Sequence, residues 1–97
     1  EEVGPYEAAR ALRPESVTAW YNLGIALRGR GQFDDAVAAF REAIKLDPKL
    51  APAHTNLGNA LGAAGDADGE IAAHREAVRL DPRYALAHYN LGVALKE

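Results

Sequence analysis

The chain contains no cysteine and no methionine among its 97 residues. Without cysteine there is neither a disulfide nor a thiolate metal site. That absence leaves the compartment open, and the cytoplasm is the default expectation. Methionine is missing even from the first position, so we read the chain as a piece of a longer protein. No apolar run approaches the roughly 18–20 residues that a membrane span requires, and no signal peptide is expected ahead of the first structural unit. Clustered positive charge is also lacking: 11 Lys and Arg face 14 Asp and Glu, interspersed, for a net charge of −3. A nucleic-acid surface needs a basic stripe to displace counterions, and an anionic membrane attracts a polybasic cluster. Neither partner is expected. The remaining composition, 48% hydrophobic and 26% charged, is ordinary for a folded domain, and the length suits a single one.

What the chain does have is repetition. The string WYNLGIAL at Trp20 returns as HTNLGNAL at His54 and HYNLGVAL at His88, each time after 34 residues. Taking Val17 as the start of a unit, one copy runs over 17–50 and a second over 51–84; a third begins at Ala85 and stops at Glu97. Upstream, PYEAARALRPES aligns with AFREAIKLDPKL and AHREAVRLDPRY, the back half of a copy. The organisation is therefore one domain over 1–97, made of a half repeat 1–16, repeats 17–50 and 51–84, and a half repeat 85–97.

Each copy predicts two helices. Trp20, Leu23, Gly24 and Leu27 recur at three- and four-residue steps, which draws one stripe along a helix. Ser16 stands at the N-cap position, and Gly29 with Gly31 permits a reversal. A second stripe follows at Phe33, Ala36, Val37, Phe40, Ala43 and Ile44. Asp34 and Asp35 favour its start, and Pro48 ends it. In the second copy Pro52 suits a first turn, Gly62 and Gly65 flank the turn, and Pro82 is the stop. The expected helices are 5–13, 17–30, 33–46, 51–64, 67–80 and 85–96. One such hairpin cannot bury its own apolar stripe, whereas stacked hairpins share a continuous core. An all-α solenoid of antiparallel helix pairs is therefore preferred over a closed four-helix bundle.

The unit resembles the tetratricopeptide repeat, whose pattern is W-x2-L-G-x2-Y, then A-x3-F, then P over a 34-residue period. Here it reads Trp20, Leu23, Gly24, Ala36, Phe40 and Pro48, with Leu27 in the tyrosine slot; the second and third copies repeat it with Leu57, Gly58, Ala77 and Pro82, and with Leu91 and Gly92. The resemblance implies a right-handed superhelix whose first helices line a concave groove. Mid-helix Gly24, Gly58 and Gly92 each cost roughly 1 kcal/mol against alanine, which close helix contact would justify. Ala36 is expected to face Gly24, with Ala43 and Ala77 small for a similar reason. The second copy departs from the pattern: Glu70 replaces Ala36, His74 replaces Phe40 and Ala67 replaces Phe33. A carboxylate in a tight contact is expensive without a partner, so Glu70 is expected to tilt out to solvent; a kink in the superhelix is the alternative.

No catalytic constellation and no cofactor site emerge, and the segment is expected to be no enzyme in itself. His54 and His88 occupy the Trp20 slot and are expected to fill helix contacts. They are not spaced as metal ligands, so no metal is expected. His74 and His88, if adjacent across a repeat junction, would repel one another when protonated below roughly pH 6. GRGQ and GAAGD lack the frame of a phosphate loop and are turns.

Asparagine recurs at Asn22, Asn56 and Asn90, although its helix propensity is only modest. In the repeats that this chain resembles, the slot points into the groove. An amide both donates and accepts, so such a ladder would hold an extended peptide by its backbone. The other reading is that the asparagines bond a neighbouring helix and stiffen the solenoid. Tyr21, Thr55 and Tyr89 precede them; Ile25, Asn59 and Val93 lie one turn on, and Arg28, Gly62 and Lys96 one turn further. The expected peptide-binding set is Asn22, Asn56, Asn90, Tyr21, Thr55, Tyr89, Asn59 and Arg28. Some tetratricopeptide domains clamp a C-terminal carboxylate with lysine, asparagine and arginine. The matching slots here hold Tyr21, Ile25, Asn56, Leu86 and Asn90; only Asn56 fits, so that clamp is not expected.

The expected role is a protein-interaction scaffold that binds a protein or extended peptide. A structural spacer, or the repeat part of a larger enzyme such as a glycosyltransferase, is the alternative. The ends also matter, because solenoids normally close with a polar cap. Tyr6, Ala9 and Leu12 at one end and Leu91, Ala94 and Leu95 at the other are expected to be apolar outer faces that allow head-to-tail self-association.

Overall fold

The chain folds into helices, three of which begin where a side chain or a proline relieves the free amides of a first turn. In a computed structural model, which describes residues 15–96, the helices are α1 (Val17–Gly29), α2 (Phe33–Leu46), α3 (Ala51–Ala63), α4 (Ala67–Leu80) and α5 (Ala85–Lys96). Ser16 Oγ accepts from the Ala19 amide at 3.1 Å, and Asp66 Oδ1 accepts from the Gly69 amide at 2.8 Å. Pro52 sits in the first turn of α3. The two hairpin turns share one geometry. Gln32 donates its amide to the Leu27 carbonyl at 2.9 Å and Asp66 to that of Leu61 at 2.8 Å, across Gly31 at φ +77° and Gly65 at φ +96°. Only glycine adopts that left-handed conformation at little cost. The expected helix 5–13, with Tyr6, Ala9 and Leu12, lies outside the described residues.

Substantial packing joins sequence neighbours, α1 to α2 through to α4 to α5, and the successive first helices α1, α3 and α5 touch one another. This is a stack of hairpins extending 43 × 24 × 17 Å. It is not a closed bundle, in which first and last helices would pack. The core is Trp20, Leu27, Ala36, Ala39, Phe40 and Ala43 from the first hairpin, continued by Leu57, Ala60, Leu61 and Ala73 of the second. Leu23 is half-buried against it. Ala77 is fully buried, whereas Pro48 and Pro82 are exposed in the inter-repeat loops.

Two contacts differ from expectation. The nearest group to Gly24 is the Phe40 ring, where Ala36 was expected: a Cβ on Gly24 would lie 2.6 Å from Phe40 Cε1. Gly58 faces His74 in the same way, its Cβ position 2.7 Å from the imidazole Cε1. Glu70 does not tilt out to solvent either. Its side chain is only 18% exposed, because Gly62, where the first repeat has Arg28, makes room for it. A Cβ on Gly62 would overlap the Glu70 carboxylate.

Gly92 has no atom within 4 Å of its Cβ position, so three glycines in one repeat slot face different surroundings. Alanine gains roughly 1 kcal/mol of helix propensity anywhere in a helix, while overpacking costs about 1–3 kcal/mol. Gly92→Ala is expected to stabilise by about 1 kcal/mol, and Gly24→Ala to destabilise by about 1 kcal/mol. Urea denaturation of the two variants checks this; midpoints that move in the same direction would contradict the packing described.

Candidate functional site

The first helices carry the candidate site because they are adjacent. Residues three apart share a helix face, so Asn22 with Ile25, Asn56 with Asn59, and Asn90 with Val93 form one surface across α1, α3 and α5. Asn22, Ile25 and Val93 are exposed, and Asn56, Asn59 and Asn90 are half-buried.

The three asparagines are not equivalent. Asn56 spends its amide on the protein itself. Its Nδ2 donates to the Tyr21 hydroxyl and to the Pro52 carbonyl, each at 3.0 Å. Its Oδ1 accepts from Arg28 Nη1 at 2.5 Å. Both amide hydrogens are thus committed, and α1 is tied to α3. Tyr21 is itself set by an edge-on contact with Phe40, ring centroids 6.1 Å apart at 65°. Asn56 therefore follows the stiffening reading.

At the second junction the same trio is broken. Thr55 stands where the first repeat has Tyr21, and Gly62 where it has Arg28. Thr55 Oγ1 and Asn90 Nδ2 are both buried without a hydrogen-bond partner, because a threonine hydroxyl is too short to span the gap that a phenol crosses. Thr55 is enclosed and so leaves the exposed surface on which it was expected. Tyr89, the third member of that slot, is 69% exposed.

The histidines divide by environment. His54 and His88 do not fill the tryptophan contact. Each turns its Nε2 onto the carbonyl of the preceding loop proline, Pro48 at 3.0 Å and Pro82 at 2.7 Å, and His88 is exposed. His74 is fully buried, and neither ring nitrogen has a hydrogen bond. Glu70 Oε2 stands 3.5 Å from its Nε2, too far for more than weak attraction. Burial pushes the His74 pKa below the ordinary imidazole value, and the neighbouring carboxylate only partly opposes this. Glu70 is thus the charge that faces His74, and His88 meets a backbone carbonyl.

The sequence pattern marked Arg28 and Asn56 separately but not their bond, which spans 28 residues and depends on how one hairpin is rotated against the next. Among the described residues, no group of three or more His, Asp or Glu side chains is gathered to hold a metal ion, and no helix is long and apolar enough to cross a membrane. On α5, Tyr89, Gly92 and Leu95 are exposed, as are Leu86 and Val93. Of the residues expected on its outer face, Ala94 is buried and Leu91 half-buried, because both turn toward the preceding hairpin.

Two family profiles, each described as tetratricopeptide repeat, match the chain at residues 17–50 and 39–72. The fold recurs in solved structures. The crystal structure of MamA aligns over 94% of this chain and 53% of its own, with a TM-score of 0.87 and 26% identity. A mutant Thermobaculum terrenum O-GlcNAc transferase aligns over 93% of this chain and 17% of its own, with a TM-score of 0.84 and 34% identity. The Arabidopsis OM64 TPR domain aligns over 95% of this chain and 76% of its own, with a TM-score of 0.85 and 23% identity, a likeness of fold alone. The chain thus spans about half of the MamA chain and about a sixth of the transferase. No curated protein sequence matches it.

Proposed function

The chain belongs to the tetratricopeptide repeat family, and from that premise we propose that it is a protein-interaction scaffold whose concave groove binds an extended segment of a partner. The observation that carries this is the surface of α1, α3 and α5, where exposed Ile25 and Val93 share a face with the amides of Asn22 and Asn59. Such a surface offers apolar contact and amide hydrogen bonds together, which suits a peptide backbone bearing mixed side chains. The right-handed superhelix implied by the family curves this surface inward. In this reading the segment binds and does not catalyse. A transferase is one whole protein that such repeats serve, and the likeness to the O-GlcNAc transferase supports that context.

Self-association is the second reading, favoured by the outer surface of α5. Tyr89 and Leu95 are exposed there and Gly92 is open, as for a helix that would accept another hairpin. A second copy approaching head to tail makes a heterologous contact, which propagates into open chains or rings.

One set of samples tests both readings. A fluorescent library of ten-residue peptides is expected to contain binders whose affinity falls about fivefold in Asn59→Ala or Ile25→Ala, with melting within the small change normal for surface sites. Binding indifferent to both substitutions, or no binding at all, defeats the groove. Sedimentation that shifts with concentration and returns to monomer in Leu95→Asp supports the self-assembly reading.

A further inference from the structure

Arg28 stands apart from the other described cations. Among the described residues it is the one lysine or arginine that is not exposed. Among the described residues, the lysine and arginine ion pairs join Lys45 to Glu42 and Arg79 to Glu76, and no described carboxylate stands within salt-bridge distance of Arg28. Its contact is the neutral oxygen of Asn56, at 2.5 Å. A guanidinium carries five N–H donors in a planar fork, and this bond engages one of its nitrogens. A partly desolvated cation without a counter-charge is unfavourable, unless a ligand supplies that charge.

The surroundings hold this guanidinium in one place. Asn56 is fixed by the Tyr21 hydroxyl and the Pro52 carbonyl, so the group it anchors loses little freedom on binding. Charge also changes sign along the groove wall. At the corresponding place in the next repeat, Gly62 stands in the arginine slot and the Glu70 carboxylate leans over it. A negative group is drawn to the first junction and repelled from the second.

We infer that Arg28 is the specificity-determining contact of the groove and takes the side-chain carboxylate of an Asp or Glu in the bound segment, with Asn56 and Tyr21 as positioning residues. This rests on the peptide-groove reading and adds to it a ligand class and a register. Asp or Glu offers two oxygens to the fork, and a charge-assisted pair of that kind is directional and strong. Asn56 thereby acquires a role that the ladder did not give it: it aims the arginine, and the arginine reads the partner.

The probe is an array of ten-residue peptides in an Ala/Ser/Val background, each with one Asp, Asn or Lys scanned along its length, read by fluorescence anisotropy. For the unaltered protein, Asp at one position is expected to bind about tenfold tighter than Asn there, with the preference shrinking as salt rises. In Arg28→Gln the two peptides bind within about twofold of each other. Asn56→Asp supplies the arginine with an internal carboxylate but removes the two Nδ2 hydrogen bonds to Tyr21 and Pro52, so it is expected to melt at a lower temperature, to stay folded at the assay temperature, and to lose the Asp preference while still binding the Asn peptide. An ordinary structural role for Asn56 would not produce that selective loss, and a cooperative melt above the assay temperature shows that the fold is intact. Peptides that bind without discriminating Asp from Asn, or an Asp preference that survives Arg28→Gln, overturn the inference and leave the groove standing. No binding by any peptide overturns both.

Discussion

Phe40→Ala is expected to destabilise the protein by about 3–5 kcal/mol, the range for removing a fully buried aromatic ring. A domain of this size has roughly 5–15 kcal/mol in total, so the variant keeps little margin at room temperature. The ring is fully buried, lies against Gly24 and meets Tyr21 edge-on. Removing it opens a cavity between α1 and α2 and frees Tyr21, which in turn anchors Asn56. The damage should therefore reach the α1–α3 contact as well as the hairpin. Urea denaturation followed by circular dichroism measures it: the midpoint falls steeply, while a change at exposed Leu46 stays within about 0.5 kcal/mol. A loss below about 1 kcal/mol for Phe40→Ala would mean that the core does not pass through this ring.

The reverse experiment is His74→Phe. The imidazole occupies the slot of Phe40, at a nearly identical distance from the Cβ position of its glycine: 2.7 Å at Gly58 against 2.6 Å at Gly24. The site is already shaped for an aromatic ring. What it lacks is a hydrogen bond at either ring nitrogen, the Glu70 carboxylate coming only to 3.5 Å of Nε2, and a buried polar group left without one costs about 1–3 kcal/mol. Phenylalanine should recover that amount and raise the melting temperature by about 4–8 °C per kcal/mol. It should also alter the response to acid. The folded-state pKa of His74 is depressed, by burial first, while the unfolded value is about 6.5. The neutral form is thus the one that the fold favours. Its contribution is complete above pH ~6.5 and is lost as pH falls from there through the folded value. Melting at pH 7.5 and 5.5 should differ more for the natural chain than for His74→Phe. A less stable His74→Phe variant would show that the 3.5 Å approach of Glu70 outweighs the missing hydrogen bonds.

Much of the architecture is legible before any coordinate is known, and the reason is local. Apolar steps of three and four residues, Ser16 and Asp66 at helix starts, and Gly31 and Gly65 at the reversals are all short-range signals. The expected limits of α2, α4 and α5 coincide with the observed ones, and those of α1 and α3 differ by one residue. The candidate site is less legible, because its decisive contacts cross from one hairpin to the next. Nothing in the repeat period states that Asn56 satisfies itself on Tyr21, Pro52 and Arg28, or that Thr55 falls short of Asn90. Those facts depend on side-chain length and on the rotation between neighbouring units. One signal was present in the residues themselves. Between the copies, Arg28 becomes Gly62 and Ala36 becomes Glu70, a large residue and a small one changing sides together.

That exchange bears on how such arrays diversify. The copies share a backbone, yet each hairpin has its own key: Arg28 and Ala36 in the two slots of one, Gly62 beneath Glu70 in the other. A chimaera joining α1 to α4 would force an arginine into the volume held by a carboxylate; one joining α3 to α2 would leave a hollow between glycine and alanine. Duplicated units that have drifted in this manner no longer shuffle freely, and their order along the chain becomes part of what is inherited.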